Sequence, residues 1–338
     1  MKNITMKDIA LRLDVSTVTV SKALSDKEGV SRELKDRIRK AADEMGYRYN
    51  SAARMIKDGI SYNIGIIVSE RFIHEGAFYS KMYQSAIKKL SDVNYYGLLE
   101  IVADEDEESC VVPNIIQNNK VDGIIILGQM GCKYVKMIEK YNLPFLFLDF
   151  YNEDYTVDSI IGDSIYGTYI LTNYLIEKGH CEIGFVGSIL QTSSILDRYV
   201  GYYKAMIQNR LTFEKEWVIE DRDKKGNFIE FKLPEKMPTA FVCNCDEVAY
   251  NFVKRLIKEG YKVPEDISVV GFDNYIYATL TNPQLTTFES NIDNMAENAV
   301  EAIIRKVRDK SYVLGRKVIS GKLVIRDSVK DITKKPHI

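Results

Sequence analysis

Thr5-Met6-Lys7-Asp8-Ile9-Ala10-Leu11-Arg12-Leu13-Asp14-Val15-Ser16-Thr17-Val18-Thr19-Val20-Ser21-Lys22-Ala23-Leu24 decides the fold of the first part of the chain. Thr5 and Asp8 stand at the spacing of a capping box, with Asp in place of the preferred Glu or Gln. Met6, Ile9, Ala10 and Leu13 recur at helical intervals, so the spacing predicts a helix with one buried face. Asp14-Val15 interrupts it, and Ser16 can cap a second helix over 17–25 that turns Val20, Ala23 and Leu24 inward and leaves Thr17, Val18, Ser21 and Lys22 outside. A third helix runs from a Ser31 cap through Leu34, Ile38, Ala41, Ala42 and Met45 to a Gly46 stop. Two short helices joined by a tight turn and braced by a third make a helix-turn-helix, whose second helix enters the major groove of DNA. There Val18 or the Thr17 methyl can touch a thymine methyl, and Lys22 can donate to guanine O6 or N7. A plain three-helix bundle whose polar face meets only water fits the same spacing.

The rest of the composition bounds the answer. The chain has 338 residues, 46% apolar and 28% charged, enough for more than one folded unit with a substantial core. No apolar run approaches the roughly 20 residues that span a bilayer. Residues 1–8 lack the pattern of an export signal. Five cysteines, odd in number and mostly set in apolar stretches, suit free thiols in a reducing compartment, so a cytoplasmic protein without a membrane partner is expected. Net charge is −2, but residues 1–60 hold 13 Lys/Arg against 9 Asp/Glu and the remainder 33 against 39. A basic head on an acidic body can be held on phosphates by the head alone, although chance variation on a surface helix gives similar imbalances.

After Gly59 short apolar strands alternate with amphipathic helices. Strands are expected at 64–68, 97–102, 123–127, 145–149, 182–187, 239–244 and 268–273. Helices are expected near 79–90, 111–118, 134–141, 167–177, 198–208 and 249–258. This rhythm predicts two parallel sheets with helices on both faces, hence two α/β lobes, with ligands beyond the carboxyl ends of the strands. Asp149, Asp163, Arg198, Asp246 and Asp273 fall at or beside those ends. Converging carboxylates and a guanidinium can bind vicinal hydroxyls, while Phe78, Tyr79 and Tyr275 can flank an apolar ligand face. Any one of them, taken singly, is equally a helix cap or a surface ion pair.

Thr5-x-x-Asp8-Ile9-Ala10, Val15-Ser16-x-x-Thr19-Val20-Ser21-Lys22-Ala23-Leu24, Val30-Ser31 and Gly46-Tyr47 closely resemble the lactose/galactose repressor family. The likeness continues through Asn50-Ser51-Ala52-Ala53-Arg54-Met55-Ile56. It then runs through Asp197-Arg198-x-x-Gly201-Tyr202, Asn244-x-Asp246, Val263-Pro264-Glu265-Asp266-Ile267-Ser268-Val269-Val270-Gly271-Phe272-Asp273 and Leu285-Thr286-Thr287. The resemblance implies an N-terminal helix-turn-helix over 1–46 and a hinge helix and linker over 47–60. Behind them it implies a two-lobed domain like periplasmic sugar-binding proteins, one lobe from 61–161 plus about 291–320 and the other from 162–290 plus about 321–332. It implies DNA contacts from Thr5, Ser16, Thr17, Val18, Thr19, Ser21, Lys22, Ser31, Asn50, Ala53, Arg54 and Ile56, the last as a minor-groove wedge where the family has leucine. Arg198 and Asp273, helped by Asp149, become the principal effector contacts, with Phe78, Tyr79, Asp163, Cys245, Asp246 and Tyr275 around them.

Departures from the family pattern bear on specificity. Asp14 replaces a turn glycine and tolerates the left-handed backbone better than most residues. Lys22 keeps the charge of the family's arginine but not its two-pronged geometry. Tyr49 replaces a proline before Asn50, and Cys245 replaces a polar residue, so the ligand need not be a simple hexose.

Three scattered histidines (His74, His180, His337) support neither a catalytic centre nor a zinc site. Cys243-Asn244-Cys245 reads as strand packing rather than a metal clip, Gly128-Gln129-Met130-Gly131 lacks the glycine pattern of a nucleotide loop, and Asp104–Glu108 reads as a solvated loop and helix start. A DNA-binding regulator without cofactor or metal is expected, rather than an enzyme or a transport receptor. It would act as a homodimer on near-palindromic double-stranded DNA and be controlled by a small molecule, a carbohydrate or its derivative.

Overall fold

The computed structural model describes residues 4–47, 59–74, 77–152, 157–224 and 226–333. The chain divides into two compact units, Met1–Ile60 and Ser61–Ile338. In the first, α1 (Met6–Leu13), α2 (Thr17–Leu24) and α3 (Arg32–Glu44) enclose a small core of Ile9, Ala10, Val20, Ala23, Ile38, Ala41 and Ala42. Asp14 closes α1 in the left-handed region at φ 53°, the conformation that lets the chain turn directly into α2. Arg12 reaches Glu44 at 2.5 Å, tying α1 to α3. Asp26 holds Lys35 at 2.9 Å and Arg39 at 3.1 Å, so the loop after α2 is fastened to α3.

The second unit contains two six-stranded sheets. The first is built mainly by β1 (Asn63–Ser69), α4 (Glu70–His74), α5 (Ala77–Asp92), β2 (Tyr96–Val102), α6 (Asp104–Glu108), α7 (Asn114–Gln117), β3 (Gly123–Leu127), α8 (Cys132–Glu139), β4 (Phe145–Leu148) and β5 (Ser159–Gly162). The second follows with α9 (Ser164–Glu177), β6 (Ile183–Val186), α10 (Ser193–Gln208), β7 (Val218–Ile219), β8 (Ala240–Cys243), α11 (Asp246–Lys258), β9 (Ser268–Asp273), α12 (Tyr277–Leu280) and β10 (Thr286–Glu289). The chain then returns through α13 (Ile292–Arg308), β11 (Arg316–Ile319) and β12 (Lys322–Val324). Strand order is β11-β5-β4-β3-β1-β2 in one sheet and β12-β10-β9-β8-β6-β7 in the other, all parallel except β12 against β10. Central strands such as Gly123–Leu127 and Ala240–Cys243 are buried along their whole length, as parallel strands covered on both faces must be.

The chain crosses between lobes three times. It leaves the first sheet after β5, returns between β10 and α13, and leaves again between β11 and β12. The second crossing is fixed by packing: Ile292, Met295, Ala296, Ala299 and Ile303 of α13 lie in the same core as Ile64, Ile66 and Leu146 of the first sheet. The third passes so close to β10 that a Cβ on Gly321 would lie 2.1 Å from the Glu289 carbonyl oxygen, so only glycine fits.

The structure departs from the sequence expectations in three places. The helix expected near 111–118 shrinks to Asn114–Gln117 and a separate short helix forms before it over Asp104–Glu108, because Cys110 turns left-handed at φ 55° and Pro113 follows. Helices α9, α10 and α11 each begin three to five residues earlier than their apolar periodicity, since Asp163 and Thr192 cap the first two and Asp246 opens the third. The short edge strands β7, β11 and β12 carry no apolar alternation of their own. No helix among the described residues is long and apolar enough to cross a membrane.

Candidate functional site

In the N-terminal unit the candidate DNA contacts fall into two groups. Thr17, Val18 and Lys22 lie exposed on the outer face of α2, Val18 at 62%, with Ser21 half-buried beside them. Thr5, Ser16, Thr19 and Ser31 spend their hydroxyls on helix ends. The Thr5 hydroxyl and backbone N–H both donate to Asp8 Oδ2, at 2.6 and 2.7 Å. Ser16 Oγ accepts from the Thr19 N–H at 3.0 Å and is hydrogen-bonded to the Thr19 hydroxyl at 2.8 Å, and Ser31 Oγ accepts from the Leu34 N–H at 3.3 Å. Asn50, Ala53, Arg54 and Ile56 lie outside the described residues.

In the second unit a cavity of about 310 Å³ lies between the lobes. The two sheets aim the carboxyl ends of their strands at it. β4 of one lobe delivers Asp149 and β9 of the other delivers Asp273, both in left-handed backbone, at φ 68° and 98°. Non-glycine residues rarely hold that conformation, and it recurs where surrounding structure holds a side chain towards a site.

Arg198, one turn into α10, organises the floor. Its Nη2 donates to Asp273 Oδ1 at 3.1 Å, its Nη1 donates to the Asn244 carbonyl at 2.7 Å, and its guanidinium lies 4.0 Å from the centre of the Phe272 ring. Its Nε–H is buried with no protein partner among the described residues. A buried donor left unmet is costly, so this atom points to a guest that supplies an acceptor. Ser290 donates to the same Asp273 oxygen at 3.1 Å. Across the cleft the Tyr79 hydroxyl donates to Asp149 Oδ2 at 3.0 Å. Burial pushes the Asp149 carboxyl up to about 7, with Arg198 pulling it down and Asp273 pushing it further up. Burial likewise raises Asp273, against the pull of Arg198.

Phe78, Tyr275 and Cys245 also line the cavity. The Cys245 thiol is pushed up to about 12 by burial, so it behaves as an apolar wall rather than a nucleophile. Asp246 reaches the wall, but its oxygens are committed, one to the Thr287 hydroxyl at 2.7 Å and the other to the Tyr275 N–H at 2.8 Å. A Cβ on Gly271 would meet Asp246 Oδ1 at 2.2 Å, so glycine in β9 is what admits the carboxylate. Burial raises Asp246 to about 8. Asp163 does not belong to the cavity: it caps α9, accepting from the Tyr166 N–H at 3.3 Å, because the chain leaves the sheet one residue after β5 rather than turning into the cleft.

Sequence reasoning missed several wall residues. Glu107, set in an acidic run read as solvated, is buried at 9%; it accepts from Arg71 Nη2 at 2.8 and 2.7 Å and from the Gly131 N–H at 2.8 Å. Arg222 enters from a loop, its Nη1 donating to the fully buried Asp221 at 2.6 Å. Tyr277 and Gln129 also line the cavity. Hydrogen bonds among the described residues span the lobes at the edge of the cleft. The Tyr151 hydroxyl donates to Asp197 Oδ1 at 2.8 Å, and the Ser193 N–H donates to Gln129 Oε1 at 3.2 Å.

Residues 5–50 match the family described as bacterial regulatory proteins of the lacI family, and residues 172–329 match the periplasmic binding protein-like domain. The chain is 28% identical over 339 residues to the HTH-type transcriptional repressor PurR of Vibrio campbellii, covering 97% of this chain and 99% of that protein. The PurR repressor of Vibrio cholerae is 27% identical over 341 residues, covering 98% and 99%. Among solved structures, the lac repressor dimer bound to operator and the anti-inducer ONPF superposes with a TM-score of 0.76 at 22% identity, covering 97% of this chain and 100% of that one. The complex of the transcriptional regulator CelR with cellobiose gives 0.68 at 19% identity, covering 96% and 100%. At these identities the structural likenesses concern the fold.

Proposed function

The chain belongs to the lacI family of bacterial regulatory proteins, and on that premise we propose that it is a transcriptional repressor whose hold on DNA is set by a small molecule in the interlobe cleft. As a member of that family it is a regulator and not an enzyme. The observation that carries the effector reading is the buried Arg198 Nε–H without an acceptor, between carboxylates brought from both lobes. A ligand hydroxyl satisfies that donor and can donate in turn to Asp273 or Asp149, which favours a polyhydroxylated compound, a sugar or sugar derivative. Phe78, Tyr79, Cys245 and Tyr275 would cover its apolar faces, and Asp246 would hold the wall.

On the DNA side, Thr17, Val18, Ser21 and Lys22 would meet base edges, while the caps at Thr5, Ser16, Thr19 and Ser31 place backbone N–H groups and helix starts near phosphates. Residues 47–60 would serve as hinge and linker, with Asn50, Ala53, Arg54 and Ile56 in the minor groove. One helix-turn-helix reads one half-site, so a homodimer on a near-palindrome, in the cytoplasm, follows from the reading. Ligand-driven movement of one lobe against the other would alter the spacing of the paired hinges, at a coupling of about 1–3 kcal/mol.

A thermal-shift screen over mono- and oligosaccharides, sugar acids and purines finds the ligand, since a compound bound only to the native state raises the melting temperature. The same compound is expected to change affinity for a fragment from the protein's own promoter. A stabilising ligand that leaves DNA affinity untouched would remove the coupling from the proposal.

A further inference from the structure

The cleft is lined by more carboxyl groups than guanidiniums. Glu107, Asp149, Asp246, Glu247 and Asp273 line it against Arg71, Arg198 and Arg222. Two of the three guanidiniums are already engaged at the walls, Arg71 by Glu107 and Arg222 by Asp221. Only Arg198 remains on the floor, where it donates to Asp273 and to the Asn244 carbonyl. Asp149, arriving from the opposite lobe, has no cation bonded to it. Its side chain's one hydrogen bond among the described residues is from the Tyr79 hydroxyl to Oδ2, which leaves Oδ1 unengaged. Asp149 is 8% exposed, so a guest that fills the cavity takes away the water its carboxylate still has. A buried carboxylate without a countercharge is strongly disfavoured.

Resting on the reading of the cleft as the effector site, we infer that the effector itself brings the missing cation. The geometry points to a hydroxylated compound carrying a protonated amine, an amino sugar in its simplest form. The ammonium would lie against Asp149, and a hydroxyl would accept from Arg198 Nε. The hydroxyl is needed because an amine alone offers that buried N–H no acceptor. The rings of Phe78 and Tyr79, which meet edge to face at 5.3 Å, line the cavity from the lobe of Asp149 and that of Tyr275 from the other, and aromatic faces favour a cation beside them. The charged and titratable groups that act on Asp149 are Tyr79 from α5, Arg198 from α10 and Asp273 from β9. Burial holds its carboxyl at about 7, and an ammonium in contact draws it back to the ionised form.

The test titrates the full-length protein calorimetrically, at about pH 6.5 where an ordinary amine is protonated, with matched pairs: glucose and glucosamine, galactose and galactosamine, mannose and mannosamine, cellobiose and fully deacetylated chitobiose. At least one amine member is expected to bind about tenfold more tightly than its neutral partner, the weight of one pKa unit of charge interaction. In Asp149→Asn that preference should fall to near parity. If this variant does not fold, repeating the wild-type titration at about pH 9, where the amine is largely neutral, must abolish the preference instead. Neutral members binding as well as or better than their amine partners would overturn the inference and leave the effector cleft standing. Silence from every pair would overturn both the amine and the sugar-type reading of the cleft.

Discussion

At the scale of single residues the cleft depends on charges that burial has made expensive. Arg198 and Asp273 are 7% and 8% exposed and answer each other directly. Arg198→Ala leaves Asp273 buried without its cation, a loss of roughly 3–5 kcal/mol in a broken buried pair. A lower urea midpoint for the two-lobed unit is expected, together with loss of every effector response while promoter DNA is still bound. A normal ligand titration in this variant would take Arg198 out of the site. Asp149 and Asp246 carry a second consequence. Their folded-state pKa values, about 7 and about 8, lie above the ordinary carboxylate value, so the native state binds protons that the unfolded chain releases. The stabilisation this gives is complete below the ordinary carboxylate value of 3.8 and is lost progressively as pH rises from there to about 7 and about 8. Without effector, the melting temperature should therefore fall across that interval, and Asp149→Asn should make the fall shallower. Identical slopes in wild type and variant would show that Asp149 is ionised throughout.

At the scale of elements, α2 is shaped as much by its ends as by its face. Ser16→Ala removes the acceptor for the Thr19 N–H, which costs about 1 kcal/mol of helix stability. It should lower the melting point of the N-terminal unit and weaken all DNA binding alike. Lys22→Ala should behave differently, weakening the specific site more than random DNA, because a contact to a base edge carries sequence information and a phosphate contact does not. Competition titrations against random duplex separate the two outcomes. Much of this level was legible before the structure. Period-3.6 apolar spacing placed α1, α2 and α3, and unbroken apolar runs such as Gly123–Leu127 placed the buried parallel strands. Helix starts such as Asp246 and Thr192 were not legible in the same way, because capping residues are polar and stand outside the periodic pattern. Glu107 could not be recognised as a wall residue, since its burial is decided by Arg71 and Gly131, which are 36 and 24 residues away. Asp163 stood beside a strand end like Asp149, and only the direction of the chain after β5 separates the cap from the cavity wall.

At the scale of the whole molecule the two lobes are joined by three crossings and by hydrogen bonds that any relative movement must break. Tyr151 donates to Asp197, the residue before Arg198, and the Arg316 guanidinium lies 3.6 Å from the centre of the Tyr151 ring. Tyr151→Phe keeps the ring and deletes one interlobe hydrogen bond of about 1 kcal/mol net. Effector affinity is expected to shift several-fold with no change in the ligands selected, as measured by calorimetry. Unchanged affinity would mean that the observed lobe spacing is set elsewhere.

DNA recognition by the N-terminal unit under control of the cleft is addressed directly by one titration. Full-length protein is titrated by fluorescence anisotropy against duplexes from its own promoter and against random duplex, at several salt concentrations, with and without the stabilising ligand. The promoter fragment should bind at least about a thousandfold more tightly than random DNA, weaken steadily with salt, and change affinity when the ligand is added. Equal, weak binding to both duplexes, indifferent to salt and to every ligand that raises the melting temperature, would contradict it.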